Sequence, residues 1–192
     1  MPRPVRPTLL LPLLALALAP APAAAGACPP APDIAPAMDA LFAEVRAARS
    51  QDQAGRVAAR MWAEWTRAPD ERAQGLLDEG MARGRAGDVA GARAALEALT
   101  DYCPDYAEGW NQRAILAFLR ADFPRALELV DRTLALDPRH VGALTGRGLT
   151  LLRMGRASDG HGALREALAL NPWIVERRFL PERPEPVPQI DL

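Results

Sequence analysis

Pro104, Pro138 and Pro172 stand 34 residues apart, and this interval constrains the fold of the 192-residue chain more than any other feature. Proline lacks an amide hydrogen and clashes with the preceding helical turn, so each of the three marks a break between segments. Between the first two breaks, Trp110, Ala114, Ala117 and Phe118 share one helical face, and Ala126, Leu127, Val130 and Leu134 share another. A break at Asp122-Phe123-Pro124 separates the two faces. The pattern predicts a pair of amphipathic helices folded back on each other, recurring along the chain.

Aligned on that period, the first helix of each unit carries Leu76, Trp110 or Leu144 and, four residues later, the small Gly80, Ala114 or Gly148. The second helix carries Ala92, Ala126 or Gly160, followed by the larger Leu96, Val130 or Leu164. Small residues let two helices approach and larger ones fill the seam between neighbouring hairpins. In these positions the chain resembles the tetratricopeptide repeat (TPR) family over 73–174. The resemblance implies an all-α TPR helical-hairpin solenoid of three 34-residue repeats, at 73–106, 107–140 and 141–174. A degenerate hairpin at 37–69 is expected to cap its N-terminal end. Helices are predicted at 37–49, 53–67, 71–86, 89–102, 106–121, 124–136, 140–154 and 157–170. The resemblance further implies a scaffold that holds a protein or peptide partner in its concave groove, with no catalysis and no cofactor, and leaves the partner's identity open.

Residues 1–27 have the layout of a secretory signal peptide: Arg3 and Arg6, an apolar run at 9–19, then a Pro/Ala segment ending in small residues. The run is about half the ~20 residues needed to span a bilayer. Cleavage after Ala25 or after Ala27 satisfies the small-residue requirement, and export to the periplasm or beyond is expected. Ala25-Gly26-Ala27-Cys28 also resembles a bacterial lipobox, with Ala25 where that motif usually has Leu. Lipidation at Cys28 would instead make the protein a membrane-tethered assembly factor. All basic residues are arginine, and 23 bases against 24 acids include no basic block, so nucleic acid is not an expected partner.

After the Pro-rich lead-in at 28–36, Trp62 and Trp65 are read as core aromatics of the cap, and Asp70 as the N-cap of the next helix. Arg83 and Gly84 predict a loose end to the first helix of repeat one. The glycines of repeat three, Gly142, Gly146, Gly148, Gly160 and Gly162, predict a hairpin dependent on its neighbour, since a helix-interior glycine costs ~1 kcal/mol relative to alanine. His140 and His161 are read as solvent-exposed, and the carboxylates as solvated on helical faces and at turns. No catalytic or metal-ligating cluster is discernible. Glu79, Arg113 and Arg147 share one register position. They are read as a half-buried ladder paired to nearby acids such as Asp131, or else as a groove edge for an acidic partner.

The predicted partner-binding groove comprises Leu77, Met81, Arg85, Asn111, Ile115, Phe118, Leu119, Thr145, Leu149, Leu152 and Arg153 on the three first helices. Only Asn111 matches the basic and asparagine clamp by which some TPR proteins hold a terminal carboxylate, so that specificity is not implied. Residues 175–192 are read as a short cap, with Trp173, Ile174, Phe179 or Leu180 laid over repeat three, followed by a Pro-rich tail. The final residues 187–192 are a second candidate occupant of the groove. Cys28 and Cys103 are the only cysteines, and in an oxidising compartment an even pair predicts a disulfide.

Overall fold

The computed structural model describes residues 27–181. Residues 1–26, most of the stretch read as a signal peptide, and the tail beyond 181 lie outside the described residues, as does any placement of 187–192 in the groove. Eight α-helices follow one another: α1 Ala35–Ala47, α2 Gln51–Trp65, α3 Glu71–Arg85, α4 Val89–Tyr102, α5 Ala107–Leu119, α6 Phe123–Leu136, α7 Val141–Arg153 and α8 Ala157–Leu170. A 3-10 turn, Val175–Phe179, closes the described chain. Each predicted helix is present with ends within two residues, and no strand occurs among the described residues.

Local sequence explains the boundaries. Asp70 accepts a hydrogen bond from the Ala73 amide at 2.8 Å, Asp88 from Gly91 at 2.9 Å and Asp122 from Arg125 at 3.3 Å, satisfying donors that an α-helix leaves free at its start. The Ala73 amide, then the Tyr102 hydroxyl, hold the Asp70 carboxyl below the usual aspartate range. A depressed carboxyl contributes stability above its unfolded value and loses it as pH falls through the folded one, so this cap is complete at neutral pH and fails in acid. The end of α3 is firmer than expected: Arg83 pairs with Glu79 at 2.8 Å and with Asp88 at 2.7 Å, stapling the helix to the next turn, which Gly87 closes at φ +79°.

Within each repeat the paired helices pack through the small register positions. A Cβ at Gly80 would stand 2.6 Å from the Leu96 side chain. At Gly148 it would meet Leu164 at 2.7 Å, and at Gly160 it would meet the Gly148 carbonyl at 2.9 Å. The α7–α8 contact is therefore backbone against backbone, and those two glycines serve packing. Gly162 has open space around it. Gly162→Ala should accordingly stabilise the protein by up to ~1 kcal/mol, whereas Gly160→Ala should lower its melting temperature; thermal unfolding of the two variants checks the contrast.

The N-terminal hairpin departs from expectation. It does not continue the stack as a terminal unit but lies across the two inter-repeat turns and the turn that ends repeat three. Met38, Leu41, Phe42 and Val45 of α1 and Ala54, Val57, Met61 and Trp65 of α2 form one core with Val141, Leu144 and Ala167 of repeat three. Along the same edge, the Tyr106 hydroxyl donates to the Trp65 carbonyl at 2.8 Å, the Trp65 indole donates to Asp137 at 2.9 Å, and the Gln51 amide donates to the Trp173 carbonyl at 3.3 Å. The apolar face of the hairpin needs cover, and the row of turns supplies it. Trp173 and Ile174 join this core, while Val175 and Phe179 remain 55% and 43% exposed, so the C-terminal turn covers less of repeat three than its sequence suggested.

Cys28 and Cys103 form a disulfide with their Cα atoms 5.2 Å apart, fastening the N-terminal arm to the end of repeat one. A sulfur in that bridge cannot also carry a lipid thioether.

Candidate functional site: the inner face and the buried latch behind it

The first helices α3, α5 and α7 stand side by side, and two apolar crevices run between them. One, of about 310 Å³, is walled by Met81 and Arg85 of α3 and by Ile115, Leu116 and Leu119 of α5, with Ala92 and Leu96 of α4 as its floor and Trp62 at its side. The other, of about 380 Å³, lies between α5 and α7, walled by Asn111, Ile115, Phe118, Leu119, Thr145 and Leu149 over a floor of Ala126 and Val130, with Ile174 and Glu176 at its margin. Ile115 and Leu119 border both crevices and form the ridge between them. They are 41% and 73% exposed, although both are fully apolar side chains.

Of the residues predicted for the groove, Met81, Arg85, Asn111, Ile115, Phe118, Leu119, Thr145 and Leu149 are brought together. Three are not. Leu77 is wholly buried in the core of repeat one, beneath α4. Leu152 turns into the α7–α8 contact against Gly160. Arg153 lies over the Phe123 ring, 5.1 Å from its centroid, outside both crevice linings. Sequence position placed all three on the first helices, but the narrow glycine contacts rotate Leu152 toward its own hairpin. Trp62, read as core, is instead 40% exposed at the mouth of the α3–α5 crevice. Its sequence signal was equivocal because Trp65, three residues on, takes the buried side of α2.

The ladder reading holds for two of its three members. Arg113 is largely covered, donates to the Thr100 hydroxyl at 2.6 Å and lies 3.7 Å from Glu97. Burial lowers the basicity of its guanidinium, and the Glu97 charge partly restores it. Arg147 Nε is 2.9 Å from Asp131 Oδ1 yet makes no aligned hydrogen bond there, so the contact is an ion pair without directional geometry. Neither guanidinium lines a crevice.

His140 and Glu108, expected in solvent, are the main corrections. Both are buried, at 0% and 1% exposure. His140 is the N-cap of α7: its Nδ1 accepts the Ala143 amide at 3.1 Å, which assigns the ring proton to Nε2. Nε2 lies 2.8 Å from Glu108 Oε2, and the same carboxylate accepts from Asn111 at 3.0 Å and Gln112 at 2.5 Å. The Trp65 ring stacks on the imidazole at 4.4 Å and 22°. Three donors satisfy the buried carboxylate, and the indole seals it from water. Tyr106, His140 and Ile174 recur at the 34-residue period, all bulky, and this row is what the hairpin rests upon. The shared register was the available sign in the sequence.

Among the described residues, no three His, Cys, Asp or Glu side chains gather closely enough to hold a metal ion, and no helix is long and apolar enough to cross a membrane. What the site offers is a curved, apolar, helix-lined surface of the kind that repeat scaffolds present to other chains.

The tetratricopeptide repeat family profile matches residues 77–141 and 120–172, and the chain belongs to that family. A TPR repeat-containing protein of Rhizobium etli is 29% identical over 149 residues, covering 74% of this chain and 64% of the relative, so the chain spans just under two thirds of that protein's length. The TPR2B domain of yeast Sti1, in its pHsp70 complex, superposes with a TM-score of 0.53 at 19% identity, covering 57% of this chain and 91% of that one. A Thermobaculum terrenum O-GlcNAc transferase mutant gives 0.51 at 27% identity, over 53% of this chain and 19% of the other.

Proposed function

We propose that the protein is an exported, non-catalytic scaffold that binds an extended or helical segment of a protein partner along α3, α5 and α7. The observation that carries this reading is the Ile115–Leu119 ridge: a 73% exposed leucine between two apolar crevices is surface in need of cover. Export is supported by the layout of residues 1–27 and by the Cys28–Cys103 bridge, since such bonds persist in oxidising compartments. The lipid-tethered alternative needs the sulfur that the bridge uses. The yeast TPR2B domain, which has the same fold, is itself complexed with pHsp70, in keeping with a protein-binding role.

The test begins with photocrosslinking from Ile115 in living cells, followed by purification of the captured protein and a measured Kd. Leu119→Asp should weaken that complex on the order of 30-fold, corresponding to ~2 kcal/mol for the leucine no longer buried, with helicity and melting temperature unchanged. Undiminished affinity would place the binding surface elsewhere.

A further inference from the structure

The two crevices repeat at the spacing of the first helices. Packed helices stand ~8–10 Å apart, so crevices on either side of α5 are separated by roughly that step. An occupant with one apolar side chain in each must therefore repeat its apolar residues at the same interval. A polyproline II chain advances ~3.1 Å per residue with three residues per turn, so positions i and i+3 are ~9 Å apart on the same side.

The chain carries such a segment. Beyond Pro181 the sequence reads Glu182-Arg183-Pro184-Glu185-Pro186-Val187-Pro188-Gln189-Ile190-Asp191-Leu192. Its prolines favour the extended geometry, and Val187 and Ile190 are three apart. Ile174 and Glu176, just before the end of the described chain, border the α5–α7 crevice. From Pro181, six residues of extended chain span ~19 Å. A residue three positions beyond one seated in that crevice would stand one helix step away, at the α3–α5 crevice, whose lining includes Arg85.

We infer that the tail is an intramolecular occupant of the groove, with Val187 in the α5–α7 crevice, Ile190 in the α3–α5 crevice and Asp191 paired with Arg85. This rests on the groove reading above and adds its regulation: a partner gains access by displacing a Val-x-x-Ile segment. Partners presenting the same i, i+3 apolar spacing with an acid after the second residue compete best.

The experiment uses a fluorescein-labelled peptide of residues 186–192 as probe, titrated into three full-length proteins: the unaltered chain, Val187→Ser/Ile190→Ser, and that double variant with Leu119→Asp added. The double variant should bind the probe at least tenfold more tightly than the unaltered chain, and Leu119→Asp should remove the gain. A benzophenone side chain placed at Ile190 should crosslink within one chain to α3 or α5. Equal binding by the first two proteins, or no binding by any, overturns tail occupancy. Crosslinks joining two copies overturn it in favour of an exchange between molecules. The groove reading is judged separately, by the effect of Leu119→Asp on partner capture.

Discussion

Glu108→Ala should destabilise the protein by about 3–5 kcal/mol, the range expected when one member of a buried hydrogen-bonded pair is removed. The carboxylate is 1% exposed and accepts from His140, Asn111 and Gln112. Alanine would leave the buried His140 and Asn111 donors without this acceptor in a space closed by the Trp65 ring, and would also free the half-buried Gln112 amide. Two of these three lie on α5, and the third caps α7, so the loss falls on repeats two and three together. Glu108→Gln retains the volume and one acceptor oxygen and should cost less than the alanine variant. Urea unfolding of the three proteins, read by helicity and by Trp fluorescence, gives the comparison. If Glu108→Ala shifts stability by under 1 kcal/mol, the network does not hold the fold in the manner its geometry implies.

Cys28→Ser should cost about 4 kcal/mol by the closure entropy of its 75-residue loop. That loop contains α1 to α4, so the bond restrains the hairpin and repeat one in the unfolded chain. In the folded protein it holds the arm that leads into α1. Chemical unfolding in the presence and absence of reductant measures the difference directly, and Cys28→Ser should respond to reductant no further. A protein equally stable with and without the bond would show that the hairpin holds its place by packing alone.

The repeats were legible because the proline interval and the small-residue register are local signals that recur, and each recurrence narrows the same reading. The groove was legible in part for the same reason: Met81, Ile115 and Leu149 share one register position, and the structure gathers all three. What sequence periodicity could not convey was rotation about each helix axis. Leu77, Asn111 and Thr145 are equivalent by number, yet Leu77 is sealed in a core while Thr145 lines a crevice, because the residues at the neighbouring close contacts differ. The placement of the hairpin was hidden more deeply. Nothing along α1 or α2 states which distant surface their apolar faces meet, and the histidine and glutamate that receive Trp65 look in isolation like surface residues of a turn and a helix start.

A tandem array of hairpins ordinarily behaves as a spring: each unit touches only the next, so curvature varies, and unravelling starts at an end. Here α1 and α2 act as a strut. They bear on the turns at Tyr106, at Asp137 and His140, and at Trp173, which belong to successive repeats. Bending the inner face open would have to shear all of these contacts at once. On the proposed groove reading, the radius of that surface is thereby set before a partner arrives, and little of the energy of association is consumed in fixing it. Stiffness of this kind favours partners whose residue spacing already matches the crevices and penalises those that require the protein to flex.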